Sequence, residues 1–211
     1  MLPLTAERLL TLDHIPVRGE LSLQTITEFY ITYLARRQFH FEIANKLKEI
    51  RLRFEPNHLP HLLGVHHFEG VSSGHKGLLD LKNGAVTFEN LLAVNKGAFE
   101  DDELRMLCLP FIYQMIHTPH LHLARPNDMT QASFYFRSPL SNKLCEFRIR
   151  KMHKDDPSST FYIPLSFRVG KSNPFTKVTV RKMSELAYDD GYHFPPAHTY
   201  SNTQASKQRK K

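Results

Sequence analysis

Four histidines lie within ten residues of the chain, in the run Asn57-His-Leu-Pro-His-Leu-Leu-Gly-Val-His-His-Phe68. An imidazole can bind a metal ion, transfer a proton near neutral pH, or serve as an ordinary structural side chain. The run therefore admits three interpretations: a metal centre, an acid–base site, or a histidine-rich structural segment. The neighbouring residues, and the elements that would position the run, have to decide between these three interpretations.

The spacing of these histidines does not favour a metal centre. His58 and His61 are three positions apart with Pro60 between them, and no cysteine or carboxylate in the run completes a ligand set. The HExxH and CxxC patterns are absent, and His120 and His122 form only a second weak pair. The sequence therefore predicts neither a metal site nor a cofactor.

Acid–base chemistry on RNA is the second interpretation. Cleavage through the ribose 2′-hydroxyl requires a base, an acid, and cations that stabilise the charge on the phosphorane. Histidine suits both proton transfers because it titrates near neutral pH. A structural role stays open for some of the four histidines, and their convergence with cations has to come from the fold.

The charge of the chain indicates where such cations lie. The 211 residues include 28 Lys and Arg against 21 Asp and Glu, a formal charge of +7. The segment from Lys143 to Met183 holds ten Lys and Arg against three acids, which equals the whole excess. An anionic partner such as RNA is therefore expected.

Cys108 and Cys145 have apolar neighbours, so both are expected in the core. The sequence shows no leader and no membrane span, which predicts a cytoplasmic protein without membrane contact.

The hydrophobic pattern predicts an α+β fold with N-terminal helices and a short strand pair followed by a four-stranded antiparallel sheet. Helical periodicity runs from Thr25 to about Gln38 and returns at 88–92 and 104–115, whereas 70–84 is predicted as a Gly/Ser-rich loop. Alternation predicts strands at 39–43, 50–54, 132–137, 144–150, 161–168 and 177–181. We expect one domain over 1–190 and a disordered basic tail over 191–211.

Alternation along the last four strands separates an apolar face from a polar, mainly basic one. Pro164 predicts a bulge or an edge in the third of these strands. The polar face is predicted either to be a solvated surface or to bind a phosphate backbone. Its members are Ser133, Tyr135, Arg137, Glu146, Arg148, Arg150, Tyr162, Ser166, Arg168, Lys177, Thr179 and Arg181.

Three consecutive segments resemble a known family: Phe39-His-Phe-Glu-Ile, Ile50-Arg-Leu-Arg-Phe54 and His58-Leu-Pro-His-Leu-Leu-Gly-Val-His66. They are similar to the phage- and mobile-element-associated branch of the barnase–EndoU–colicin–RelE-like (BECR) nucleases. The resemblance implies helices followed by a four-stranded antiparallel sheet, and a metal-independent endoribonuclease that acts as a toxin or phage-conflict effector. It implies roles in catalysis for His61 and His66, and an antitoxin or inhibitor protein as a possible partner.

Together these inferences predict an endoribonuclease that binds RNA across the basic face. Arg148 and Arg168 would bind the scissile phosphate, and Tyr162 or Ser166 would orient the ribose or a base. Further nucleic-acid contacts are predicted for Arg137, Arg150, Lys177, Arg181, Tyr135 and Lys76. Where catalysis depends on Lys or Thr instead, Lys76, Lys182 or Thr160 would replace these residues. The alternatives are a non-catalytic nucleic-acid-binding regulator or phage-encoded inhibitor, and a toxin that modifies its target.

Overall fold

The fold is described by a computed structural model for residues 3–44, 49–124, 131–140, 143–153, 156, 158–170 and 176–187. The predicted tail at 191–211 lies outside the described residues. The described part is mixed α and β, as predicted. The described helices are α1 Leu23–Tyr33, α2 Leu59–Leu63, α3 Gly74–Lys82, α4 Phe88–Val94, α5 Lys96–Cys108 and α6 Phe111–His117, with 3₁₀ turns at Arg8–Thr11, Pro56–His58 and Val65–His67.

Helix α1 begins two residues before the predicted start and ends five before the predicted end. Its N-cap is Ser22, whose side chain accepts the Thr25 backbone N–H at 3.0 Å. The helix ends because Arg36 takes a left-handed backbone conformation, with φ of 58°, which turns the chain into the first strand.

The expectation of a loop over 70–84 is wrong, since most of this segment forms α3. Leu78 and Leu81 are buried from one side of the helix. Gly77 is needed for close packing rather than flexibility: a Cβ there would lie 2.2 Å from the Ser72 carbonyl oxygen. A glycine-rich sequence can therefore belong to a helix when a neighbouring backbone approaches it.

The predicted strand pair and the predicted four-stranded sheet form one sheet. The described strands are β1 Arg37–Ile43, β2 Glu49–Arg53, β3 Leu121–Leu123, β4 Phe134–Leu140, β5 Lys143–Lys151, β6 Phe161–Gly170, β7 Thr176–Val178 and β8 Val180–Ala187, in the order β7-β3-β4-β5-β6-β2-β1-β8. Strand β2 runs parallel to β6, with Arg51 beside Phe161 and Leu52 beside Tyr162. The four-stranded sheet is thus a correction: the other neighbouring strands are antiparallel, and the strand pair extends the sheet.

The predicted strand at 177–181 divides at Thr179. Strand β7 pairs with β3 at one end of the order, whereas β8 pairs with β1 at the other. Since one residue separates β7 from β8, the sheet must curl until its two ends approach each other. The Thr179 carbonyl accepts the Ala44 N–H at 2.9 Å, which joins this crossing to β1.

The core fills the inside of the curl. Phe41 of β1 and Phe136 of β4 have ring centroids 5.2 Å apart, although three strands separate them in the sheet order. The buried apolar side chains form one cluster, whose first member in the sequence is Ala6 and whose last is Val178. Cys108 and Cys145 belong to it, as the sequence predicts. Within the described ranges, no helix has the length and apolar character needed to cross a membrane.

Candidate active site

A β-bulge in β6 decides which of its side chains reach the outer face of the sheet. Arg148 pairs with Ser166 but Ile149 pairs with Pro164, so Leu165 is the extra residue. This confirms the bulge that Pro164 predicts. Beyond it the two faces are exchanged, because a one-residue shift reverses every side chain. Phe161 and Ile163 therefore belong to the outer face.

The same bulge shows that the predicted placement of Tyr162 is wrong. Its side chain lies in the core, 1% exposed, with its ring edge-on to Phe134 at 5.4 Å. Burial also raises the pKa of its hydroxyl. Tyr162 therefore cannot orient a substrate on the outer face of this structure.

Downstream of the bulge, the strand register brings most of the predicted site residues together. The side chains form two rows across β4, β5 and β6 on the outer face. One row contains Arg137, Glu146 and Arg168, and the next contains Tyr135, Arg148 and Ser166. We call these six residues the polar lattice.

Glu146 is the centre of the polar lattice. Its Oε2 accepts from Arg137 Nη2 at 2.6 Å and Nε at 3.1 Å, and its Oε1 accepts from Arg148 Nε at 2.8 Å. The Arg148 Nη2 lies 2.7 Å from the same Oε1. One carboxylate therefore fixes two guanidinium groups through charge-assisted hydrogen bonds.

Tyr135 lies beneath these arginines and is 1% exposed. The guanidinium carbons of Arg148 and Arg137 lie 5.2 and 5.7 Å from its ring centroid. Although cations outnumber acids on this face, Arg137 and Arg148 are both paired, because Glu146 binds both. Arg168, by contrast, is exposed and extends the lattice towards the helices.

The histidine run folds as a 3₁₀ turn, the short helix α2, which ends at Gly64, and a second 3₁₀ turn. Pro56 and Pro60 occupy first-turn positions, where a missing N–H has no cost. Leu59, Leu62 and Leu63 are buried against the body of the protein. This burial directs the other side of the segment, with its imidazoles, towards the surface.

Three of the histidines form a stack, the histidine trio. The ring centroids of His61 and His66 are 4.5 Å apart, and those of His66 and His67 are 4.2 Å apart. The fourth, His58, has a structural role: its Nδ1 accepts the Glu55 backbone N–H at 3.2 Å at the start of the first turn. The structure thus separates His58 from the trio.

Helix α5 holds the trio in place through two charged residues. The His67 Nδ1–H donates to Asp102 Oδ2 at 2.6 Å, and Asp102 Oδ1 accepts from Arg105 Nη1 at 3.2 Å. Arg105 also donates to the carbonyls of Leu62 at 2.7 Å and His61 at 2.6 Å. These carbonyls lie at the end of α2, where the regular helical hydrogen bonds end, and the His61 carbonyl also accepts the Gly64 N–H at 3.1 Å. Asp102 and Arg105 therefore fix both a histidine ring and the backbone that carries the trio.

Two members of the trio, His61 and His66, have lowered pKa values. Burial, followed by the charges of His61 and His67, lowers the pKa of His66 to about 4. The pKa of His61 is also lowered, chiefly by burial and then by Arg105. Burial, His61 and Arg150 lower the pKa of His58 to about 4. Near neutral pH, His61 and His66 are therefore uncharged rings able to accept a proton.

The trio meets the polar lattice at the bulge. The Leu165 backbone, next to Ser166 of the lattice, lies close enough to the His61 ring to raise its pKa, against the larger lowering by burial. Burial lowers the pKa of Arg105, and the charge of Arg168 contributes to that shift. The predicted residues His61, His66, Arg148, Ser166 and Arg168 therefore belong to one region of the molecule.

The remaining predicted residues lie elsewhere. Lys76 is exposed on α3, and Arg181 is exposed on β8 at the far end of the sheet order. Lys177 pairs with His122 on β3, at the opposite end. Arg150 is on the outer face but upstream of the bulge, opposite Ile163.

Sequence reasoning missed four residues of the site: His67 as a member of the trio, Asp102, Arg105 and Glu146. Asp102 and Arg105 form a pair three residues apart on a helix, which in a sequence is indistinguishable from a solvated surface pair. Glu146 had a usable signal, since it is the one acid among the cations on the polar side of its strand. In the described part of the chain, no group of three or more His, Cys, Asp or Glu side chains is placed to hold a metal ion.

The chain resembles known proteins at the level of a family. No curated protein and no solved structure matches the chain. A family model does match, over residues 22–181, a range that contains the histidine trio, Asp102, Arg105 and the polar lattice. Its description is phage-Barnase-EndoU-ColicinE5/D-RelE like nuclease4, which confirms the resemblance drawn from the strand pair and the histidine run. The match covers well over half of the chain, and the protein therefore belongs to the PBECR4 family of phage BECR-like nucleases.

Proposed function

We propose that the protein is an endoribonuclease that cleaves RNA through the ribose 2′-hydroxyl without requiring a metal ion. Family membership supports nuclease activity. The observation that carries the finer proposal is the junction of the histidine trio with the polar lattice, where the His61 ring lies close to the Leu165 backbone beside Ser166. Proton-transfer groups and phosphate-binding groups are thereby adjacent, as this reaction requires.

His66 is the proposed general base, with His61 stacked on it. A base must be unprotonated before it reacts, and the pKa of about 4 keeps the His66 ring neutral over the physiological range. His61 limits the motion of that ring and is itself uncharged near neutral pH, since its pKa is lowered. The ring would remove the 2′-hydroxyl proton, so that the 2′-oxygen attacks the adjacent phosphorus.

His67 is the proposed general acid. Asp102 accepts its Nδ1–H, which fixes the tautomer and leaves Nε2 to exchange a proton with the substrate. The side chain is 46% exposed, so the leaving 5′-oxygen can reach it. Asp102 is a positioning residue in this scheme, because it acts through His67.

Arg168 and Arg148 are the proposed phosphate ligands. Arg168 is exposed beside Ser166 and Arg105, and it would bind the non-bridging oxygens directly. Glu146 engages Arg148 through Nε and Nη2, so Nη1 is the donor that would face a phosphate. Arg137 and Tyr135 support Arg148 from one side, through Glu146 and the aromatic ring.

The test is cleavage of RNA in excess EDTA by the wild-type protein and by the double variant His61→Ala, His66→Ala. His120→Ala, which removes an exposed histidine outside the trio, is the control. We expect fragments ending in 2′,3′-cyclic phosphates from the wild type and the control, and none from the double variant. Cleavage of DNA at an equal rate, or abolition of RNA cleavage by EDTA, would refute the proposal. RNA binding without cleavage by any of the three proteins would favour the non-catalytic alternative.

A further inference from the structure

On the part of the outer face before the bulge in β6, an aromatic ring lies close to two guanidinium groups of β2. The Arg53 Cζ lies 4.2 Å from the Phe161 ring centroid and the Arg51 Cζ lies 5.5 Å from it. Arg53 Nε donates to Gln38 Oε1 at 2.8 Å, and Arg51 Nη2 lies 2.9 Å from Glu49 Oε1. Both arginines are therefore held in fixed orientations over the ring. We call Arg51, Arg53 and Phe161 the stacking group.

This arrangement exists because of the bulge. With unbroken alternation, Tyr162 and Pro164 would face outwards and Phe161 would be in the core. The register shift reverses this, and it places the apolar Phe161 and Ile163 among cations on a partly exposed surface. Apolar side chains exposed in a charged setting indicate a surface that a ligand covers.

Next to the stacking group is a cleft with an unsatisfied donor. Arg150 lies opposite Ile163, and its Nε is buried without a hydrogen-bond partner among the described residues. The cleft has a volume of about 270 Å³ and is lined by Gln131, Ser133, Arg150 and Lys151. A buried donor without an acceptor is costly, so this site suits an incoming oxygen ligand.

We infer that the stacking group and the Arg150 cleft form a subsite for the nucleotide that follows the two flanking the scissile bond. A base would stack on the Arg53 guanidinium and Phe161, and its phosphate would bind Arg150. Planar guanidinium and aromatic groups are the surfaces on which unpaired RNA bases stack, and arginine matches phosphate geometry. This inference rests on the proposed function and deepens it by assigning the substrate class.

The position of the subsite relative to the polar lattice supports this assignment. Arg148 and Arg150 are two residues apart on one face of β5, a separation on the order of 7 Å in a strand. An RNA strand whose scissile phosphate binds Arg148 would thus continue directly to Arg150. Stacking requires a base that is not paired, so the substrate is single-stranded RNA, with weak base preference because every base has a π-face.

Binding of uncleavable RNA tests the subsite apart from catalysis. Fluorescence anisotropy would measure the affinities of a two-nucleotide and an eight-nucleotide 2′-O-methyl RNA for the wild type, Phe161→Leu, Arg53→Gln, Arg53→Lys and Arg150→Gln. Arg8→Gln is the control, because it removes one positive charge at an exposed arginine in the first 3₁₀ turn. Thermal melting checks that each variant folds.

We expect Phe161→Leu and Arg53→Gln to weaken binding of the longer RNA by about 5-fold to 100-fold and to leave the two-nucleotide RNA almost unaffected. Arg53→Lys should lose as much as Arg53→Gln, because lysine keeps the charge but not the planar group. Arg150→Gln should reduce the slope of log affinity against log salt by about 0.7.

Two results would overturn the inference. The stacking role is refuted if the Phe161 and Arg53 variants bind the longer RNA with wild-type affinity. It is also refuted if Arg53→Lys restores the affinity that Arg53→Gln loses. Either result would leave the proposed nuclease function intact. If the wild type neither binds nor cleaves any RNA, the proposed function fails and the subsite fails with it.

Discussion

His67 and Asp102, 35 residues apart in the chain, are joined by a hydrogen bond of 2.6 Å between the imidazole Nδ1 and the carboxylate Oδ2. Asp102 is 8% exposed and is also bound to Arg105, whose other donors reach the carbonyls of His61 and Leu62. The ring of one proposed catalytic residue and the backbone of another are therefore fixed by the same two side chains of α5.

Replacing Asp102 by Asn should reduce cleavage strongly. The amide keeps the shape but cannot stabilise an imidazolium, so we expect kcat to fall by about 10²-fold to 10⁴-fold. The dependence of kcat on pH should change as well, which a purely structural role would not produce. Asp101→Asn, on the exposed neighbouring residue, is the control and should leave both unchanged. Equal activity of the two variants would contradict the role of Asp102.

Replacing Gly64 by Ala should disrupt the junction between α2 and α5. Gly64 has φ of 82°, and a Cβ there would lie 2.8 Å from Arg105 Nη1 and 3.0 Å from Asp102 Cγ. Gly70→Ala is a matched control because its φ is 78° but nothing lies within 4 Å of the added Cβ. We expect the free energy of unfolding, measured with urea, to decrease by about 1–2 kcal/mol in Gly70→Ala. In Gly64→Ala it should decrease by about 1–3 kcal/mol more than in Gly70→Ala. Activity should fall in Gly64→Ala alone.

Much of the fold could be predicted from the sequence, because alternation is a local property. Each predicted strand exists, and the core and polar faces of β5 are as expected. The parallel contact of β2 with β6 and the division at Thr179 could not be predicted, since pairing between distant strands leaves no local pattern. Pro164 predicts the bulge, but the reversal of Tyr162 depends on which residue is the extra one, and only the pairing of β5 with β6 shows that.

The site divides in the same way. Residues on strands, such as Arg148, Ser166 and Arg168, could be found because the period of a strand predicts which side chains share a face. Asp102 and Arg105 act through contacts with residues more than 30 positions away, which only the tertiary structure reveals. The interactions that position the histidines were therefore harder to predict than the histidines themselves.

His58 should make the protein less stable in mild acid. Its folded-state pKa is about 4, against an ordinary value of 6.5, so between these values the unfolded chain binds a proton that the folded chain does not. The free energy of unfolding should therefore decrease as the pH falls from 6.5 to 4, by on the order of 2–3 kcal/mol from this residue, and level off below 4.

His58→Asn should make this part of the stability profile less steep, measured by urea unfolding at a series of pH values, and the slope that remains belongs to His61 and His66, whose pKa values are also lowered. An asparagine does not titrate, and its carbonyl oxygen can replace Nδ1 as acceptor for the Glu55 N–H. His120→Asn should keep the wild-type slope. An unchanged slope in His58→Asn would show that another group causes the acid sensitivity.

The pKa of His66 predicts the acid limit of activity. Protonation inactivates a general base, so kcat/KM should stay high well below pH 6.5 and fall only towards pH 4. Replacing His61 by Asn removes a neighbouring ring that helps to lower this pKa. The fall of kcat/KM in acid should therefore occur at a higher pH in this variant. If kcat/KM of the wild type already falls near pH 6.5, and falls at the same pH in the variant, the general base is another residue.

Replacing Glu146 by Gln should leave two largely buried arginines without their shared carboxylate. Arg137 is 7% exposed and the Arg148 side chain 13%, so we expect a loss of about 3–5 kcal/mol in the free energy of unfolding. Glu103→Gln, which removes a partner of Arg18 in a more exposed pair, should cost at most about 1 kcal/mol. Inorganic phosphate should raise the melting temperature of the Glu146 variant more than that of the wild type or of the Glu103 variant, because an anion can occupy the place of the carboxylate. An equal response of all three proteins would show that Arg137 and Arg148 do not form an anion-binding site.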